Sequence, residues 1–209
     1  GANPAELELA PYESRVLVFS KARVSPAQPT AAASVVEISG GWKVTFPHYT
    51  EEMKTLHSWT DNEATKYFSG QATYERMVTV PQGMLSNRVY LTFGEGSPVA
   101  AEERRAGSGM RAMLESPVHE AAVVYVNGKR AGSVWHPPYE LDVTSLLHNG
   151  DNTIKVVVAN LALNAMAEKP LPDYKELNAK YGERFQAQDM DKVKPMPAGL
   201  LGPVRLVTR

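Results

Sequence analysis

The sequence predicts an all-β domain, a β-sandwich or jelly roll carrying a short helical insertion, on three observations. Short runs of β-branched and aromatic residues recur along the chain between turn residues. Several of those runs alternate apolar and polar side chains, as strands with one wet face require. No helical pattern intervenes between each pair of runs, which argues against a parallel sheet.

The first elements read as the end of something else. Leu7 and Leu9, then Val16 and Val18, flank the turn-prone Ala10-Pro11-Tyr12-Glu13 and form a hairpin pattern, so residues 1–24 are assigned to the terminal hairpin of a preceding domain. Residues 25–34 are small, uncharged and Pro-containing, the composition of a linker. Residues 35–209 then form the main domain, with strands expected at 35–38, 42–46, 72–80, 89–93, 121–126, 153–159 and 204–207. Within 72–80 the apolar side chains fall on every second residue except at Arg76, and Val89, Leu91 and Phe93 repeat the pattern. Asn127-Gly128 predicts a two-residue turn with positive φ at both positions, so 129–134 should return antiparallel to 121–126. Asp142 and Thr144 are suited to cap a helical turn through Ser145 to Leu147, and Asn149-Gly150-Asp151-Asn152 reverses the chain.

Two segments break this rhythm. Residues 94–116, with Glu102-Glu103-Arg104-Arg105, are too long for a hairpin loop and read as a surface excursion. Between Pro170-Leu171-Pro172 and Pro195-Met196-Pro197, the steps from Tyr174 to Leu177, Tyr181 and Phe185 predict an amphipathic helix over 173–190.

Composition excludes several functions. With 22 Lys+Arg against 23 Asp+Glu, the net charge of -1 gives no surplus for nucleic-acid phosphates or anionic lipid, so neither nucleic acid nor membrane is expected as a partner. The longest apolar runs, such as 121–126, fall far short of the roughly 20 residues a membrane span needs. Without Cys there is no disulfide, thiolate ligand or thiol nucleophile. His48, His57, His119, His136 and His148 form no closely spaced pair, and neither a G-x-S-x-G elbow nor a phosphate-binding loop is present. No cofactor is expected. A structural calcium stays open, because oxygen ligands dispersed over loops leave no motif; the metal site and its ligands are unknown. The opening Gly-Ala-Asn-Pro, lacking Met, reads as a processed product, which leaves room for an upstream leader.

Residues 121–132, 138–147 and 149–160, a hairpin, an Asp142-Val143-Thr144 strand end and an Asn149-Gly150-Asp151-Asn152 turn, resemble the sugar-binding domain of family 2 glycoside hydrolases. Ser58-Trp59-Thr60-Asp61, the stretch Tyr67 to Tyr74, Asn160 to Asn164 and Pro197 to Pro203 resemble the C-terminal region of family 106 α-L-rhamnosidases, and Leu9 to Phe19 looks like the last hairpin of the domain before it. The resemblance implies a galactose-binding-like jelly roll, non-catalytic by itself, packing on or framing the catalytic domain of the same parent chain. It implies a carbohydrate partner, a rhamnose-containing glycan among the candidates, and a periplasmic or extracellular location. The family's acid and base lie upstream on a barrel that 209 residues cannot also contain, so no catalytic residue is carried over. Alternatives are an autonomous carbohydrate-binding module and a small complete glycosidase. For the latter, Glu102-Glu103 and Asp189 with Asp191 are the obvious carboxylates, and both read as solvated charge.

Sugars are held by flat aromatic faces and planar polar groups. Trp135-His136-Pro137-Pro138-Tyr139 fits best, since its prolines would hold the loop extended with Trp135 and Tyr139 facing one ligand. The alternative is that Trp135 plugs one end of the sandwich. Trp59 with Asp61, near Tyr67, is a second candidate. Asn160 and Asn164 are a third, although Asn164 could equally bond its own loop backbone.

Overall fold

The computed structural model describes residues 34–99, 114–170, 173–183 and 193–209. The terminal hairpin, the linker apart from Ser34, Glu102-Glu103, Phe185, Asp189 and Asp191 lie outside them. The strands, in chain order, are β1 (Val35–Glu37), β2 (Trp42–Thr45), β3 (Thr50–Met53), β4 (Gln71–Val80), β5 (Val89–Thr92), β6 (Ser97–Pro98) and β7 (Leu114–Glu115). There follow β8 (Val118–His119), β9 (Ala121–Val126), β10 (Lys129–Val134), β11 (Glu140–Asp142), β12 (Gly150–Ala159), β13 (Gly199–Leu200) and β14 (Arg205–Thr208). The fold is all-β, as the alternation predicts.

A six-stranded sheet, ordered β10-β9-β12-β4-β2-β3, packs on a four-stranded sheet ordered β1-β14-β5-β11. Every strand pairing is antiparallel. β4 and β12 pair along their full length, from Gly150 opposite Val80 to Ala159 opposite Gln71. Side chains alternate across them, so Tyr74, Val78 and Val80 meet Ile154, Val156 and Val158 in one buried layer. Arg76, which broke the alternation, is half-buried rather than buried. The facing layer comes from Val89, Leu91 and Phe93 of β5 and its extension and from Leu206 of β14. Trp42, fully buried, closes an edge-to-face contact with Tyr74 at 6.3 Å and donates its indole N–H to the Ile38 carbonyl at 2.8 Å.

The Asn127-Gly128 turn forms as expected, with φ of 51° and 78°. Asn127 also ties the turn down: its amide donates to the Leu146 carbonyl at 2.9 Å and to Asn152 at 2.8 Å, and its oxygen accepts from the Thr153 N–H at 2.9 Å. Gly128→Val should therefore cost about 1–2 kcal/mol, the penalty of forcing a β-branched side chain into left-handed backbone. An unchanged denaturation midpoint would contradict this turn. The helical turn after β11 starts one residue earlier than predicted, at Thr144–Leu146. Asp142 Oδ1 accepts from the Thr144 hydroxyl at 2.6 Å and its N–H at 3.0 Å, and these bonds hold the carboxyl below its ordinary range.

Three differences from expectation have local causes. β3 was missed because Thr-Glu-Glu-Met carries no strand pattern; it is the outer edge of the six-stranded sheet, where charge discourages further pairing. The helix expected over 173–190 is α2 (Tyr174–Tyr181), preceded by the short α1 (Leu163–Glu168). Asp173 caps α2 by accepting from the Lys175 and Glu176 N–H groups, and Gly182, at φ 81°, stops it. No residue of α2 is buried. Finally Ser34, assigned to the linker, is seated on the sheet: its N–H donates to Thr208 Oγ1 at 2.7 Å and its carbonyl accepts from the Thr208 N–H at 3.0 Å.

Candidate functional site

The aromatic candidates separate by burial. Trp135 follows the end of β10 and is 64% exposed, its ring meeting that of His136 edge-on at 4.4 Å. It does not plug the sandwich. Tyr139, in contrast, is only 8% exposed and turns into the core, its carbonyl accepting from the Phe93 N–H at 2.9 Å. The shared platform expected of Trp135 and Tyr139 is thus split. The two prolines carry the chain from the edge of one sheet to β11 of the other, so the aromatic rings before and after them face different ways.

Trp59 is fully buried, packed edge-to-face on Phe46 at 5.3 Å and Phe68 at 5.6 Å. Its indole N–H donates to the Tyr74 hydroxyl at 2.5 Å. Burial excludes it from ligand contact and corrects the expectation placed on it. Asp61 serves the same corner, accepting from the Ser58 N–H at 3.1 Å in a capping box around Trp59–Asp61. Gly199 lets β13 pass directly over this pair: at φ 101°, a Cβ there would sit 2.7 Å from the Tyr74 hydroxyl.

The asparagines are also spoken for. Asn160 accepts from the Gly70 N–H at 2.9 Å and donates to the Phe68 carbonyl at 2.8 Å. Asn164, 3% exposed, donates to the Met196 carbonyl and accepts from its N–H, both at 2.9 Å. It bonds a distant segment of the chain rather than its own loop. Of the aromatic candidates, Trp135 is the exposed one, with His136 beside it, while Asp61 is exposed but tied to its own helical turn. Among the described residues no three His, Asp or Glu side chains are grouped to hold a metal ion.

Sequence reasoning missed a cleft of about 820 Å³ on the outer face of the four-stranded sheet. Its floor is set by register. One row runs Glu37, Arg205, Thr92, Glu140 across all four strands, its last three residues lining the cleft, and the next runs Val35, Val207, Tyr90, Asp142, its first two lining it. Arg205 Nε donates to Glu37 at 2.7 Å. Arg209 forks onto both Glu140 oxygens at 2.7 and 2.6 Å with its guanidinium 5.1 Å from the Tyr90 ring centre. Burial alone would raise the Glu37 carboxyl, but the Ser39 hydroxyl and Arg205 outweigh it and hold it below the ordinary range. The walls are loops rich in Gly and Pro, including Gly94 to Ser97, Glu115 to Pro117, Pro137 to Tyr139 and Leu201 to Pro203. Glu115 also approaches the buried His119, at 3.7 Å. The signal in the sequence is the alternation Arg205, Val207, Arg209 around the strand expected at 204–207.

No family model matches the chain. It is similar to a curated protein of Formosa agariphila named "Putative beta-glucuronidase", 29% identical over 198 residues, which cover 82% of this chain and 15% of that protein. Among solved structures it is similar to a rhamnosidase from Novosphingobium sp. PP1Y, with 26% identity and a TM-score of 0.63 over 90% of this chain and 16% of that one. A beta-glucuronidase from an uncultured Clostridium sp., with 22% identity and a TM-score of 0.53 over 89% of this chain and 30% of its own, shares the fold. The chain therefore corresponds to a minor part of much larger glycoside hydrolases.

Proposed function

We propose that this chain is a non-catalytic accessory domain of a glycoside hydrolase resembling the α-L-rhamnosidases, and that it frames the substrate cleft of the catalytic domain with the Trp135–His136 tip. The observation that carries the reading is the exposure of Trp135: an indole held on a strand end and left largely open by the described residues is available to a sugar or to a neighbouring domain. Four of the chain's described carboxylates already have structural partners. Glu37 and Glu140 are engaged by arginines, and Asp61 and Asp142 cap turns. The comparisons support a setting within a larger hydrolase.

The test has two arms. The purified chain should not turn over aryl α-L-rhamnosides or aryl β-glucuronides; turnover abolished by mutating one of its carboxylates would defeat the proposal. In the enzyme expressed with its flanking sequence, Trp135→Ala should lower kcat/KM on a rhamnose-bearing polysaccharide roughly tenfold, equivalent to about 1.4 kcal/mol, while small aryl glycosides are affected less. Equal activity of variant and wild type on the polysaccharide would remove Trp135 from any substrate role.

A further inference from the structure

We infer that the cleft on the outer face of the four-stranded sheet is a binding site for uncharged saccharides, separate from the Trp135–His136 tip. Three features of the cleft lead to this class of ligand.

The first is the order of groups along the floor. Arg205, Thr92 and Glu140 lie side by side on adjacent strands, so donor, mixed and acceptor groups succeed one another at the spacing of the strands. A sugar hydroxyl donates one hydrogen bond and accepts others, and a run of hydroxyls is served by such an alternation. The second is the apolar row beside it, Val35 and Val207, with the rings of Pro137, Pro138 and Pro203 along the walls. These supply C–H contact surface for a pyranose next to its polar edge. The third is charge. Both arginines in the cleft already hold carboxylates, and Glu95 and Glu115 on the walls add negative charge with no further Lys or Arg among the described lining residues. A uronate or sulfated sugar would therefore find no unneutralised cation and would meet excess negative charge. A basic peptide is disfavoured in turn, because the guanidinium groups of Arg205 and Arg209 occupy the floor.

The site is also built in advance. The Arg209 fork onto Glu140, its contact with Tyr90 and the paired Arg205 hold the long side chains that would otherwise lose freedom on binding. The volume is within the range of small-molecule clefts.

The inference does not depend on the role proposed for Trp135, and the experiment separates the two. Amide NMR spectra of the chain are titrated with methyl α-L-rhamnoside, methyl β-D-galactoside and methyl β-D-glucuronoside at millimolar concentrations. A neutral glycoside should shift the amides of Thr92, Arg205 and Val207, and the glucuronoside should not. Arg205→Leu and, separately, the near-isosteric Thr92→Val should each weaken that response roughly tenfold or more, without lowering the melting temperature. Trp135→Ala should leave it in place. The inference is overturned if no neutral glycoside shifts these amides, if the glucuronoside binds as well or better, or if folded Arg205→Leu and Thr92→Val proteins bind undiminished. Shifts confined to Trp135 and His136 would likewise overturn it while favouring the tip as the sugar contact.

Discussion

Replacing Trp59 by alanine is expected to remove about 3–5 kcal/mol of folding stability, the cost of a large-to-small change in a closed core. Trp59 is fully buried, holds Phe46 and Phe68 edge-on and bonds the Tyr74 hydroxyl, so its removal leaves a cavity and takes one of the two hydrogen bonds from that hydroxyl. Trp135→Ala, in contrast, should change stability by no more than about 0.5 kcal/mol, as for an exposed side chain. Urea denaturation of the two variants measures the difference. Equal midpoints would mean that the burial assigned to the two tryptophans is wrong.

The second large effect centres on Tyr74. Its hydroxyl accepts the Trp59 indole N–H at 2.5 Å and the Leu200 N–H at 3.2 Å, so Tyr74→Phe strands two donors in the core and should cost about 2–4 kcal/mol. The same environment sets a pH limit. Burial is the main cause that pushes the phenol up to about 12, with Glu51 adding to it against the lowering effect of the two hydrogen bonds. In the unfolded chain a tyrosine ionises near pH 10, so the unfolded state sheds this proton first. Its contribution is thus fully present below about pH 10 and is lost as pH rises towards 12, by about 2–3 kcal/mol in all. Denaturation midpoints across that window should fall more steeply for the wild type than for Tyr74→Phe. Parallel curves would show that Tyr74 ionises as an exposed phenol.

Most of the sandwich was legible because its long strands carry their burial pattern in the side-chain period. The alternation of β4 was legible over most of its length and Asn127-Gly128 marked the turn, whereas β12 starts at Gly150, inside the segment expected to reverse the chain. What escaped was what periodicity does not record. β3 has the composition of an edge rather than of a core, and α2 ends at a glycine that its apolar spacing runs past. The candidate site was less legible still. Aromatic residues near prolines look alike in a sequence whether they face solvent, as Trp135 does, or the core, as Tyr139 and Trp59 do. The cleft floor was invisible for another reason: Thr92, Glu140 and Arg205 become neighbours only when three strands far apart in the chain are laid in register.

The hydrogen bonds between Ser34 and Thr208 have a mechanical consequence. They join the start of β1 to the end of β14 at one corner of the sheet. A pull on both ends would load that pair one bond at a time, opening it like a zipper instead of shearing all its bonds together. Stretched between two attachment points, the domain should yield at low force from this corner, β1 peeling away before the long β4–β12 ladder bears any tension.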